Sequence, residues 1–402
     1  MPWDDAARDT FAAMSAGTRI GILGGGQLGR MFLENALRMD VEVHVLDPDP
    51  GCPCARLADR FLHGRFNDRE TVLRFAADTD VVGIEIEHVS TEALEELERM
   101  GKTVIPSSAT LRTIQDKGLQ KEFYVRHGLP TAPFALIRTA SEIPAHAGLL
   151  PAFLKTRTGG YDGKGVLAME AGGRVPESFT GPYVLEQRVD IAKELAVIAV
   201  RGADGRCVAY DPVEMVFDPA LNLVDVLLAP ARCAEPVLKG AKDLAVRVAE
   251  AFASPGIYAV EMFLTGGGEL LVNETAPRAH NSGHFTMEAC ASSQYDQLLR
   301  CYMGWPAGSP RMHGKAAMVN IVGEAGTGSP ELRGIEEVLA VPGTCIHLYG
   351  KKETRTGRKM GHVTVLASTE AEVDRAVAVV KAHMKMVPAT GPVGTHIKQT
   401  KE

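Results

Sequence analysis

Apolar residues recur with two different periods over the first hundred positions. Short apolar runs at 19–23, 41–46 and 81–86 alternate with stretches at 28–39 and 69–77 whose apolar positions return every three or four residues. The runs read as buried strands and the stretches as amphipathic helices. Such alternation predicts a parallel sheet covered by helices, because a parallel neighbour is reached only through a crossover. A joining segment, 105–116, leads into a helix over 117–127 that Gly128 and Pro130 stop. A domain boundary is expected near 110.

From about 134 to 210 the pattern changes to short strands between glycine-rich turns at 159–165 and 172–173, which predicts a small, mostly antiparallel module. A helix over 237–253 follows, then two strands, 258–264 and 269–272, joined by a turn at 265–268. The last hundred residues predict strands near 316–322, 345–348 and 362–366 and a helix near 370–383.

The chain has 402 residues, enough for two or three packed units. With 45% hydrophobic and 23% charged residues it has the make-up of a folded protein, which excludes long disorder. A formal net charge of −7 excludes general attraction to nucleic acid or to an anionic membrane, so any basic site must be local. Seven scattered cysteines, an odd number, argue against a disulfide framework and for a reducing, cytoplasmic setting. Residues 1–17 carry Asp4, Asp5, Arg8 and Asp9 without an apolar core, so they read as an extension and not as a signal.

The segment Gly24-Gly25-Gly26-Gln27-Leu28-Gly29 follows a strand and opens a helix, with Asp47 at the end of the next strand. That spacing fits a dinucleotide phosphate turn and would suit an NAD-dependent oxidoreductase; it fits equally a phosphate site for another ligand, or a structural turn. A second cluster begins at Lys155, which ends a strand, and continues through Gly159, Gly160, Tyr161, Asp162, Gly163, Lys164 and Gly165. Here glycines let main-chain N–H groups wrap phosphate oxygens, and lysine adds charge, while Gly165 in place of Ser or Thr excludes a Walker sequence.

Glu261 and Glu274 fall on the two strands of the predicted hairpin, in otherwise apolar surroundings. Two carboxylates brought together repel unless a cation lies between them, and magnesium, a hard ion that bridges carboxylates to phosphates, suits these two with Asn273. Just beyond, Arg278, His280, Asn281 and Ser282 make a loop dense in donors for an oxyanion. The loop 349–362 carries Lys351, Lys352, Arg355, Arg358 and Lys359, either a phosphate clamp or a solvated hairpin tip. Glu85 and Glu87 stand at the carboxyl end of a buried strand, where open α/β sheets bind ligands, unless one of them caps the following helix.

Together these segments, with Gln115-Asp116-Lys117 and the run 273–278, resemble the ATP-grasp family from about residue 19 to about 366. The resemblance implies an ATP-grasp fold, mixed α/β and α+β. Its parts are a flexible extension over 1–17, a Rossmann-like N-terminal domain over 18–110, an ATP-grasp domain over 111–303 with its lid at about 134–210, and a C-terminal α+β domain over 304–402. Within the family the motifs are similar to those of enzymes that use ATP and magnesium, or manganese, to carboxylate 5-aminoimidazole ribonucleotide with bicarbonate in purine synthesis, commonly as homodimers. Another ATP-grasp ligase acting on a phosphorylated amine is the neighbouring alternative.

By that resemblance Lys117 and Lys155 hold ATP phosphates beneath the cover 159–165. Glu186, Gln187 and Val189 read adenine, Glu194 holds the ribose, and Glu261 and Glu274 bind magnesium. Gln27, Leu28, Glu85, Glu87, Tyr161, Asp162, Arg355, Arg358 and Lys359 face the ribonucleotide, while Arg278, His280, Asn281 and Ser282 serve bicarbonate and carboxyphosphate. Four positions depart from the family pattern: His88 follows Glu87 in place of Asn, Ala279 replaces a proline, Phe217 a histidine and Val166 a glutamine.

Overall fold

The computed structural model describes residues 17–160 and 165–389. Its N-terminal sheet is wholly parallel, in the order Arg60–His63, Glu42–Asp47, Arg19–Leu23, Val81–Ile84, Thr103–Ile105. Ile20 and Ile22 face helix Gln27–Arg38, which turns Leu28, Met31, Phe32 and Leu33 inward; Leu23, Val82 and Ile84 face helices Arg69–Ala76 and Thr91–Arg99 on the other side. Those two helices begin on side-chain caps, Asp68 accepting from Thr71 N–H and Ser90 from Ala93 N–H. Because Ser90 is the cap, neither Glu85 nor Glu87 has that task. The strand order reverses between Arg19–Leu23 and Val81–Ile84, opening a crevice at their carboxyl ends.

A four-stranded antiparallel sheet follows, in the order Phe134–Ile137, Tyr183–Gln187, Ala152–Thr156, Val166–Met169, around a small core of Ile137, Leu154 and Leu185. The lid expected to reach about 210 therefore ends its pairing at Gln187. Strand Ile191–Arg201 lies instead in the large sheet, for a reason visible in its sequence. Leu195 through Val200 are six consecutive apolar residues, each no more than 2% exposed. A strand apolar on both faces needs cover on both, and the small module offers only one.

The large sheet runs Leu270–Ala276, Gly256–Thr265, Ile191–Arg201, Val213–Asp218, Leu223–Ala229, Lys315–Val322, Lys359–Ala367, Thr344–Leu348, with Cys207–Ala209 paired to Ile191–Arg201. Helix Glu235–Phe252 covers one face through Ala241, Leu244, Ala245, Val248, Ala249 and Phe252, a three-and-four spacing that makes a single stripe. The opposite face joins the N-terminal unit in one core through Ala196, Ile198, Tyr210 and Tyr302. Strands on either side of position 303 share this sheet, since Leu223–Ala229 pairs with Lys315–Val322. Helix Glu370–His383, opened by a reciprocal Thr369–Glu372 cap, packs on the C-terminal strands.

Candidate functional site

The hairpin sets Glu261 directly opposite Glu274, but one residue on the register slips, so that Met262 faces Val272. Asn273 is thus an extra residue, a β-bulge. The slip leaves Asn273 and Glu274 together on the open side, between buried Val272 and Thr275. Three oxygen-bearing side chains gather at one point of the cleft as a result.

Glu261 is the more enclosed acid, its side chain 17% exposed against 46% for Glu274, which lies among protein groups at a place that water still reaches. Lys117 donates to Glu274 Oε2 at 2.9 Å and holds that carboxyl well below the usual range. Burial, then the charges of Glu274 and Glu194, push Glu261 up. A pair of acids driven apart in this way is a site short of positive charge.

Lys155 Nζ donates to Glu186 Oε1 at 2.7 Å and to Asn273 Oδ1 at 3.4 Å. Lys121 pairs with the other oxygen of Glu186 and donates to Thr131 Oγ1 at 2.6 Å. Burial alone would raise Glu186, but Lys155 and Lys121 overcome it and keep the carboxylate ionised. Burial lowers Lys121, with Glu186 opposing. This corrects one expectation: the Glu186 side chain is committed to two lysines and is not free to read a base. The main-chain N–H of Gln187 donates to the Pro133 carbonyl at 2.8 Å. Val189 is half-buried two residues on. Glu194 is half-buried beside Phe263, its carboxyl raised by burial with Lys155 opposing.

Beyond the hairpin, Arg278 Nη2 pairs with Glu87 Oε1 at 2.8 Å, linking the central and N-terminal units. His280 Nδ1 meets Ser282 Oγ at 2.9 Å, and its Nε2 lies 3.7 Å from Glu261 Oε1. Burial, then Arg278 and Lys359, pull His280 down to about 3, so its ring is neutral. Gln294 fixes the loop by accepting from His280 N–H and donating to the His280 carbonyl, both at 2.9 Å. Asn281 exchanges amide hydrogen bonds with Asn320 at 2.9 and 3.0 Å, so its side chain braces the sheet and is not offered to an anion as expected.

Lys359 lies close enough to act electrostatically on both Glu261 and His280. Arg355 is exposed, and Arg358 donates to the Glu353 carbonyl at 2.8 Å inside its own loop. At the crevice, Glu85 Oε1 accepts from Leu28 N–H at 3.1 Å and Asp47 Oδ2 from Gly25 N–H at 2.7 Å. A ligand reaches the Leu28 amide only by exchange with Glu85, while Gln27, the first helical residue, is half-buried beside it. Two carboxylates in the mouth of the glycine turn oppose a dinucleotide pyrophosphate there. Gly159 and Gly160 lead up to the cover and Gly165 leaves it; Tyr161, Asp162, Gly163 and Lys164 lie outside the described residues.

Three family models cover nearly the whole of this architecture: a ribonucleotide synthetase preATP-grasp domain over residues 17–115, an ATP-grasp domain over 122–295, and a phosphoribosylaminoimidazole carboxylase C-terminal domain over 316–376. The N5-carboxyaminoimidazole ribonucleotide synthase of Bacillus subtilis is 35% identical over 364 residues, covering 89% of this chain and 93% of that protein. The solved N5-carboxyaminoimidazole ribonucleotide synthetase of Thermotoga maritima superposes with a TM-score of 0.85 at 39% identity, over 92% of this chain and all of that one. The chain belongs to the N5-carboxyaminoimidazole ribonucleotide synthase family. Another solved synthase of the family, from Aspergillus clavatus, holds ADP and 5-aminoimidazole ribonucleotide; its TM-score is 0.82 at 34% identity, over 91% of this chain and 99% of that one.

Against the synthase expectations, the structure brings Lys117, Lys155, Glu261, Asn273, Glu274, Arg278, His280 and Lys359 to one cleft. Sequence reasoning missed Lys121, Gln294, Asn320 and the pair Asp116–Arg157. The only advance signal for Lys121 was its place one helical turn after Lys117.

Proposed function

We propose that this chain couples bicarbonate to the amine of 5-aminoimidazole ribonucleotide at the expense of ATP, giving 5-(carboxyamino)imidazole ribonucleotide, ADP and phosphate for purine synthesis. The observation that carries this is the opposed pair Glu261 and Glu274 meeting Lys117, Lys155 and a neutral His280 at a single cleft. The donors there are all hard oxygens, which suits magnesium, or manganese, held by Glu261, Glu274 and Asn273. Among the described residues no three His, Cys, Asp or Glu side chains converge on a metal position, in keeping with an ion that completes its shell with water and phosphate oxygens. Such an ion supplies positive charge to the phosphates during transfer.

Lys117 and Lys155 neutralise the triphosphate, with Glu194 placed for the ribose hydroxyls and the segment of Glu186, Gln187 and Val189 alongside the base. A bicarbonate oxygen attacks the γ-phosphorus as the bond to the β-phosphate oxygen breaks, giving carboxyphosphate and ADP. Arg278, aimed by Glu87, and His280, held by Ser282, donate to the anion, while Asn281 keeps their loop fixed against Asn320. The amine then takes the carboxyl group and phosphate departs. Lys359, Arg355 and Arg358 offer charge to the ribonucleotide phosphate, opposite Gln27, Leu28 and Glu85, with Tyr161 and Asp162 completing its site. Gly159 through Gly165, with Gly160, Gly163 and Lys164, close over the intermediate and exclude water, which would hydrolyse it.

The reading includes a homodimer in the cytoplasm. Exposed Leu37, Met39, Leu339 and Leu348 favour association, and seven free thiols favour a reducing setting. No helix among the described residues is long and apolar enough to cross a membrane. Supplying labelled bicarbonate, magnesium-ATP and the ribonucleotide tests the activity: label enters the product, and phosphate release rises only when all three are present. Phosphate release indifferent to the ribonucleotide would remove the acceptor from this account.

A further inference from the structure

We propose that Arg157 and Asp116 form a clamp that positions Lys117 from the strand leading into the glycine loop, which makes both of them positioning residues for nucleotide binding. This rests on the ATP reading of the cleft, though not on the identity of the acceptor.

Arg157 directly follows strand Ala152–Thr156, two residues after Lys155 and two before Gly159. Its guanidinium lies on the Asp116 carboxylate with Nε to Oδ1 and Nη2 to Oδ2 both at 2.8 Å. A two-pronged pair fixes the plane as well as the distance. Asp116 is also the cap of helix Lys117–Arg126, accepting from Gly118 N–H at 2.8 Å and Leu119 N–H at 3.1 Å. The backbone closes the circuit, since Lys117 N–H donates to the Arg157 carbonyl at 2.8 Å.

Gly118 supplies an independent mark of the same contact. Glycine is a poor helix residue, yet a Cβ at this position would lie 2.6 Å from Arg157 Nε. The first turn of the helix has given up its side chain to let the guanidinium in. The pair is enclosed, 23% and 20% exposed, and so is not a loose surface contact. Two long lysine side chains cannot set their own spacing; here Lys117 and Lys155 hang from backbone segments that the clamp ties together.

The test is ADP affinity by calorimetry, the KM for ATP and the melting temperature, measured on the whole chain with magnesium. R157Q and D116N are each expected to weaken ADP binding and raise KM about 10-fold, with melting shifted by only a few degrees. R157K, which keeps the charge and loses the fork, should recover less than half of that. The double variant R157Q/D116N should be no worse than the weaker single. Affinities within twofold of wild type, losses that multiply in the double variant, or full rescue by R157K would each overturn the clamp. R157Q leaves the helix cap intact and decides the matter if D116N fails to fold. Wild-type protein that binds ADP without carboxylating the ribonucleotide defeats the acceptor assignment alone; wild-type protein that does not bind ADP defeats the clamp as well.

Discussion

Two glycine-rich segments stand beside pairs of acids in this molecule, and they are built for opposite purposes. In the N-terminal turn a Cβ on Gly25 would meet Cys52 Sγ at 2.6 Å, and one on Gly26 would meet Glu85 Oε1 at 2.5 Å. The acids there, Asp47 and Glu85, spend their oxygens on backbone amides. At the cleft, Gly159 has φ of +78° and a Cβ on it would meet nothing within 4 Å. The acids below, Glu261 and Glu274, face lysines, a neutral histidine and water. Glycine is used once so that side chains can pack against bare backbone, and once so that the backbone can take a left-handed turn. The first segment is a packed wall, and the second opens on a glycine with free space around it.

Four measurements break or sharpen this contrast. The largest effect belongs to the cleft acids. E274Q should lower kcat by about 10³-fold or more while leaving the unfolding transition close to wild type; a variant that turns over normally removes the cleft from the chemistry. Next comes the wall. G25A forces a methyl onto Cys52 and should cost about 1–3 kcal/mol in urea unfolding, partly recovered by adding C52A.

Third is Glu85, whose carboxyl burial pushes up to about 7 from 4.5. Between those values the folded protein holds a proton that the unfolded chain has released, so stability falls as pH rises from about 4.5 to 7 and levels off above. The loss across that window should be up to about 3 kcal/mol, and E85Q should abolish it; parallel curves for the two proteins would refute the assignment. The smallest effect is expected for G159A. Its left-handed backbone costs about 1 kcal/mol, and KM for ATP should rise only a few-fold. Destabilisation as large as that of G25A would collapse the distinction.

Much of the scaffold was legible in the sequence, because its elements carry strong periodicity. The helix at Glu370–His383 follows from its apolar periodicity, and the placing of Glu261 and Glu274 on paired strands from the turn between them. What escaped has no local signature. The bulge at Asn273 is a one-residue slip between two apolar strands, and composition does not register it. Glu186 looked like a ligand-facing strand acid; only its partners Lys121 and Lys155, distant in sequence, show where its charge is spent. Strand Ile191–Arg201 was misplaced because it continues the series of short strands that begins in the lid, although its apolar run already asked for two-sided cover. Asp116 and Arg157 are 41 residues apart, and neither alone looks unlike an ordinary surface charge.

The large sheet has one more consequence. From strand Gly256–Thr265 to strand Lys359–Ala367 there are five steps between neighbours, which in a flat sheet amounts to roughly 24 Å. Lys359 nonetheless acts electrostatically on Glu261, and His284, in the loop that follows the hairpin, stacks on His362 of the same strand at 4.8 Å, so the sheet is coiled and not flat. The irregular steps at Val216/Phe217 and Ile321/Val322 add local twist to that coiling. Phe217, at the first of those steps, thereby helps to set how far Lys359 stands from Glu261 by shaping backbone and not by contact with either.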